Sequence, residues 1–124
     1  MGEQLGRRFA EALGRKDAEA LKALLRTDVS FRAMTPGDFW ESSDRDQVVD
    51  EILLGKWFEP SDEITDIVSI ETSTVGPRQH VGYRFNVSNP DGRYLVDQQA
   101  YLESDGEAIG WLRVMCAGFL PNEG

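Results

Sequence analysis

Apolar side chains recur at helical spacing at the start of the chain. Leu5, Phe9, Ala12 and Leu13 share one face, with Arg7, Arg8 and Glu11 off it, the pattern of an amphipathic helix. Gly14 interrupts it, and Asp17 is placed to cap a second short helix with Ala18, Leu21, Leu24 and Leu25 as its buried stripe. So short a turn predicts a helical hairpin. From Asp28 the period drops to two: Val29, Phe31 and Ala33 alternate with Ser30, Arg32 and Met34, a strand closed by Thr35-Pro36-Gly37. A connector carrying Phe39 and Trp40 follows. Ser43-Asp44-Arg45-Asp46 then has the spacing of a capping box, with Asp for the usual Glu. A third helix is expected on the stripe Val48, Val49, Ile52 and Leu53, closing near Gly55, with Trp57-Phe58 behind it and Pro60 as the stop.

The second half reads as strands throughout. Ile64 to Val75 is β-branched and ends at Gly76-Pro77. Val81, Tyr83, Phe85 and Val87 alternate with His80, Gly82, Arg84 and Asn86. Asn89-Pro90-Asp91-Gly92 is a hairpin turn signal. Arg93 to Glu103 and Ile109 to Leu120 form the last two strands, around the turn Ser104-Asp105-Gly106-Glu107. Helices followed by hairpin-linked strands predict a single α+β domain over residues 1–124, with about three helices packed on one face of an antiparallel sheet. Several strands are apolar on both faces, so the second face needs a cover. A homodimer packed sheet to sheet is the simplest one.

Composition narrows the function classes. With 13 basic against 22 acidic residues the net charge is −9, and such a surface repels phosphate backbones, so no nucleic-acid partner is expected. The single cysteine, Cys116, cannot close an internal disulfide, and no metal-ligand spacing occurs. No apolar run has signal-peptide or membrane-span length, so the expectation is a cytoplasmic protein without a membrane partner.

The opening Phe9-Ala10-Glu11-Ala12-Leu13 helix, Leu24-Leu25 leading into Asp28-Val29-Ser30-Phe31, and the last hairpin from Asp105-Gly106 through Ile109 to Cys116-Ala117-Gly118-Phe119 resemble the SnoaL-like branch of the nuclear transport factor 2-like superfamily. The likeness spans nearly the whole chain. It implies a cone-shaped, cystatin-like fold, a strongly curved sheet whose wide end is closed by helices over a pocket. It also implies, in the enzymes of the group, acidic residues on the pocket side of the late strands, able to take a proton beside a carbonyl or to activate water. Related epoxide hydrolases and polyketide cyclases keep an aspartate where this chain has Ala117. The arginine and aspartate of the epoxide hydrolases' preceding strand align with Gly82 and Arg84. That water-activating mechanism therefore does not carry over.

The remaining candidates each have two readings. His80 is the only histidine and is either a general base or ligand contact, or an exposed residue beside a turn. Arg84 and Arg113 sit mid-strand among apolar residues. They either bind an anionic or carbonyl-bearing ligand or pair with Asp97, Glu103 or Glu71 across strands. Arg113, between Trp111 and Met115, is expected in a pocket wall. Asp97 is the surviving acid candidate, with Tyr101 or Tyr83 as donor, unless it is salt-bridged on the dimer side. Strand parity forbids Asp97 and Gln98 from both facing the pocket. Trp40, Trp57, Phe39 and Phe58 form either an aromatic cover over a flat ligand or plain core. Cys116 reads as an inert buried thiol. The expected ligand contacts are therefore Trp40, Trp57, His80, Arg84, Trp111, Arg113 and Met115, with Asp97, His80 and Tyr101 as catalytic candidates and no metal or cofactor. Three functions are compatible with this. They are a pocket for a small, mainly apolar ligand, an isomerase, cyclase or dehydratase acting by acid/base catalysis on a polyketide- or steroid-like substrate, and a protein-interaction module using the sheet face.

Overall fold

The computed structural model describes residues 2–122, with side chains from Leu5 onward. Helix α1 spans Gly2–Gly14 and α2 Ala18–Leu24, on the apolar stripes that the sequence predicts except for Leu25, which already belongs to the following strand. Asp17 caps α2 by accepting from the Ala20 N–H at 3.1 Å. The chain then enters β1 (Leu25–Thr35) directly, and Pro36-Gly37 turns it into β2 (Asp38–Ser42). The aromatic connector is thus a short edge strand paired antiparallel to β1, with Ala33 opposite Trp40 and Met34 opposite Phe39.

The third helix, α3 (Gln47–Trp57), buries Val48, Val49, Ile52 and Leu53 as predicted, but it is wound as a π-helix. Its last bond shows the wider turn: the Phe58 N–H donates to the Leu53 carbonyl at 2.9 Å. The start differs from the expected capping box. Asp44, and not Ser43, accepts from the Asp46 N–H at 2.9 Å.

Four long strands complete the chain, β3 (Glu63–Val75), β4 (Arg78–Asn89), β5 (Gly92–Ser104) and β6 (Ile109–Pro121). The six-stranded sheet has the order β2-β1-β6-β5-β4-β3. Every pairing is antiparallel except β1 with β6, which run parallel, because β1 is reached from the helical hairpin and not from a β-turn. Helix α1 lies on β3 and β4, and α2 on β1 and α3.

One face of the sheet, together with the helices, encloses the core. Phe9, Leu13, Phe31, Phe58, Tyr83 and Phe85 are fully buried there, each contributing about 1.5–3 kcal/mol of burial. Lys16 ties the helical hairpin to the segment after α3 by donating to the carbonyls of Glu59 and Asp62, both at 2.6 Å. Burial lowers its pKa, with nearby Asp62 opposing. Among the described residues no helix is long and apolar enough to cross a membrane.

Candidate functional site

Strand parity decides which residues can meet. In β5 the buried positions are Val96, Gln98, Ala100 and Leu102, and in β6 they are Ile109, Leu112, Val114 and Cys116. Gln98, not Asp97, faces the helices. Opposite it a bulge opens β6: Val96 pairs with Phe119 and Gln98 with Cys116, so that Ala117 and Gly118 together stand against the single residue Asp97, with Gly118 at φ +97°. The bulge lets Cys116 and Phe119 line the same side, at the mouth of a cleft of about 500 Å³. Its walls include Trp40, Trp57, Gln98, Cys116 and Phe119, with Asp38 and Lys56 at the rim. Trp40 and Trp57 pack edge to face, centroids 6.4 Å apart.

The polar floor of this cleft is buried and directional. Gln98 is 1% exposed and Tyr83 likewise 1%; the Tyr83 hydroxyl donates to Gln98 Oε1 at 2.6 Å. Burial pushes the phenol well above its usual 10, and the neighbouring Cys116 and Asp97 add to the shift, so Tyr83 stays a neutral donor. Gln98 Nε2 and Trp57 Nε1 are buried N–H groups with no acceptor among the described residues. The Cys116 sulfur accepts from the Gly118 N–H at 3.3 Å and has no histidine beside it among its described contacts. The arrangement can enclose an apolar body and offer it hydrogen-bond donors. Among the described residues the only carboxylate lining it is Asp38, exposed at the rim.

The predicted pocket had walls from Trp111, Arg113 and Met115 under a cover of Trp40 and Trp57, and the structure separates these sets. Trp111, Arg113 and Met115 alternate with the inward Leu112, Val114 and Cys116, so they stand on the opposite face of the sheet, as do His80, Arg84, Asp97 and Tyr101. There Arg84 donates to Asp97 at 2.8 Å. Arg78 and Arg113 flank the Trp111 ring at 4.2 and 4.3 Å, and Arg78 also donates to Glu103 at 2.8 Å. Arg113 donates to the Ser30 carbonyl at 2.8 Å, and burial, with Arg32 and Arg78 nearby, lowers its pKa. His80 shares one nitrogen with Gln99 at 2.6 Å and the other with Ser73 at 3.2 Å, and its ring lies 5.0 Å from that of Tyr101. A smaller groove of about 270 Å³ on this face is lined by Met34, Phe39, Tyr101, Arg113 and Met115 among others. Phe58, proposed as cover, is wholly buried core, while Phe39 is 61% exposed on the outer face.

No family model and no curated protein matches the sequence. Solved structures do match. A Bacillus subtilis protein provisionally named an isomerase superposes with a TM-score of 0.72 at 11% identity, over 93% of this chain and 85% of that one. A Mesorhizobium loti protein provisionally named a SnoaL-like polyketide cyclase gives 0.67 at 16% identity, over 90% and 95%. An LEH-like epoxide hydrolase of M. tuberculosis gives 0.67 at 14% identity, over 93% and 81%. The chain therefore has the α+β cone fold of nuclear transport factor 2-like proteins.

Proposed function

We propose that this chain binds a small, mainly apolar molecule in the cleft between Trp40, Trp57 and Gln98. The observation that carries the reading is the cleft itself. Its volume of about 500 Å³ lies in the usual range for ligand sites, and it joins aromatic walls to a few fixed polar groups. Binding is preferred over catalysis because the position where related enzymes keep an acid is Ala117, which lines this same cleft. Titration with N-phenyl-1-naphthylamine, a neutral apolar dye, tests the reading. The expected result is saturable enhancement of dye emission, abolished by Ala117→Phe, which fills the mouth. No binding, or binding indifferent to that substitution, would remove the cleft as the site.

A second reading is favoured by the names of the structural neighbours, an isomerase and a cyclase among them: acid/base chemistry on a carbonyl substrate. Its catalytic candidates Asp97, His80 and Tyr101 all stand across the sheet from the cleft, which weighs against it. Deuterium uptake beside the carbonyl of a bound ketone, above the buffer rate, would restore it.

For the outer face we propose a second copy of the chain as the partner. Phe39, Met34 and Met115 lie side by side across β2, β1 and β6 and are 61%, 52% and 59% exposed. An apolar row reaching inward from the β2 edge of an open sheet face is what a sheet-to-sheet dimer buries.

A further inference from the structure

The cleft also specifies the chemistry of one end of its ligand. We infer that the ligand carries an uncharged acceptor, the carbonyl of a ketone, aldehyde, ester or amide, taken by Trp57 Nε1 and Gln98 Nε2. The inference rests on the cleft being the ligand site.

Two buried donors have no acceptor among the described residues. Trp57 is 6% and Gln98 1% exposed, and both line the cleft. An N–H so far from bulk water is costly unless something accepts from it. The amide orientation of Gln98 is decided by Tyr83. With Oε1 toward the phenol, the hydroxyl proton has an acceptor at 2.6 Å. The reversed amide would orphan that proton and leave Oε1 without a donor. Gln98 therefore keeps its amide N–H unaccepted, and the indole N–H of Trp57, another residue lining the cleft, can only donate. Both ask for an acceptor.

The acceptor's charge follows from the surroundings. Arg84 and Arg113, the cations that would neutralise a carboxylate, are on the other face of the sheet and already engaged. Among the described residues the one basic side chain lining the cleft, Lys56, is exposed at the rim with Asp38 also on that rim. Desolvating a carboxylate against two neutral donors is unfavourable, whereas a carbonyl exchanges its water hydrogen bonds for these at little cost. An anionic end at the floor of the cleft is thus disfavoured, and a neutral one matches it.

Four probes on one skeleton test this by displacing N-phenyl-1-naphthylamine: ethylcyclohexane, cyclohexyl methyl ketone, 1-cyclohexylethanol and cyclohexanecarboxylate. The ketone should displace the dye at roughly tenfold lower concentration than the hydrocarbon, and the carboxylate should be the weakest. Trp57→Phe, and separately the paired change Gln98→Met with Tyr83→Phe, should each erase much of the ketone's advantage over the hydrocarbon measured on the same variant. A cooperative thermal unfolding transition shows that the variants are folded. Dye binding with the ketone no better than the hydrocarbon overturns the inference alone. So does a carboxylate or an alcohol that binds tightest, the alcohol being the mark of a reversed amide. Failure of the dye and of all four probes overturns the cleft reading and the inference together.

Discussion

The interaction that does most to define the interior is the bond from the Tyr83 hydroxyl to Gln98. Removing one partner leaves a buried polar group alone, at a cost of about 1–3 kcal/mol, whereas replacing both with apolar groups of similar shape is close to neutral. Tyr83→Phe, which leaves Gln98 Oε1 alone, should therefore destabilise by about that amount in urea unfolding, and Gln98→Met added to it should recover the loss. Equal stability of the single and double variants would mean that the bond does not form. At this scale the sequence is only partly legible. The alternation in β5 shows that Asp97 and Gln98 point opposite ways, but not which way. In β6 the clue is present: Leu112, Val114 and Cys116 are apolar throughout, while the alternate set contains Arg113. A burial argument assigns the set carrying a guanidinium to the wetter face, yet the weight of Trp111 and Met115 points the other way.

Element boundaries and types are mostly written in the chain, and the exceptions have identifiable causes. The stripe Val48, Val49, Ile52 and Leu53 signals a helix, but these contacts suit the π winding of α3 as well as an α-helix. Gly55 is the residue that distinguishes them. A Cβ there would sit 2.7 Å from the Asp50 carbonyl oxygen, a clash that comes with the wide turn. Gly55→Ala should lower stability by about 1–3 kcal/mol and weaken dye binding, because relief by rewinding would turn Trp57 away from the cleft. In an ordinary α-helix the same change would raise stability by roughly 0.5–1 kcal/mol, so thermal unfolding separates the two by sign. Strand β2 escapes notice because Asp38–Ser42 is short and its pairing with β1 comes from tertiary context. The turn from β5 to β6 is, by contrast, plain in Ser104-Asp105-Gly106-Glu107. There the N–H groups of Ala108 and Glu107, aided by Arg26, hold the Asp105 carboxyl at about 2, below its ordinary 3.8. A depressed carboxylate contributes stability above its unfolded value and loses it as the pH falls. The stability difference between the native chain and Asp105→Ala should thus be full above pH 3.8 and vanish toward pH 2; a difference that persists in acid would contradict the assignment.

At the scale of the whole molecule, one sheet serves two purposes through its two faces. The helix side encloses the cleft, and the outer side carries the cross-strand ion pairs and the apolar row of Phe39, Met34 and Met115. Apolar residues on both faces of the strands make this division visible in the sequence, whereas the assignment of each candidate to a face needs the bulge at Ala117-Gly118 and the parallel β1–β6 pairing. Sedimentation should give a mass of twice 13.9 kDa, reduced to a single chain by Phe39→Glu with Met115→Glu. A monomeric native protein would instead leave the outer face available to a different partner.

The central claim is that ligand is held on the helix side of the sheet. The three tryptophans report on it directly, since Trp40 and Trp57 line the cleft and Trp111 stands on the opposite face beside Arg113. The measurement is the ¹⁵N–¹H spectrum of their indole groups during titration with cyclohexyl methyl ketone. The Trp57 signal should move most, Trp40 with it, and Trp111 should stay in place. Movement of Trp111 while Trp57 stays fixed would put the site on the outer face and contradict the account.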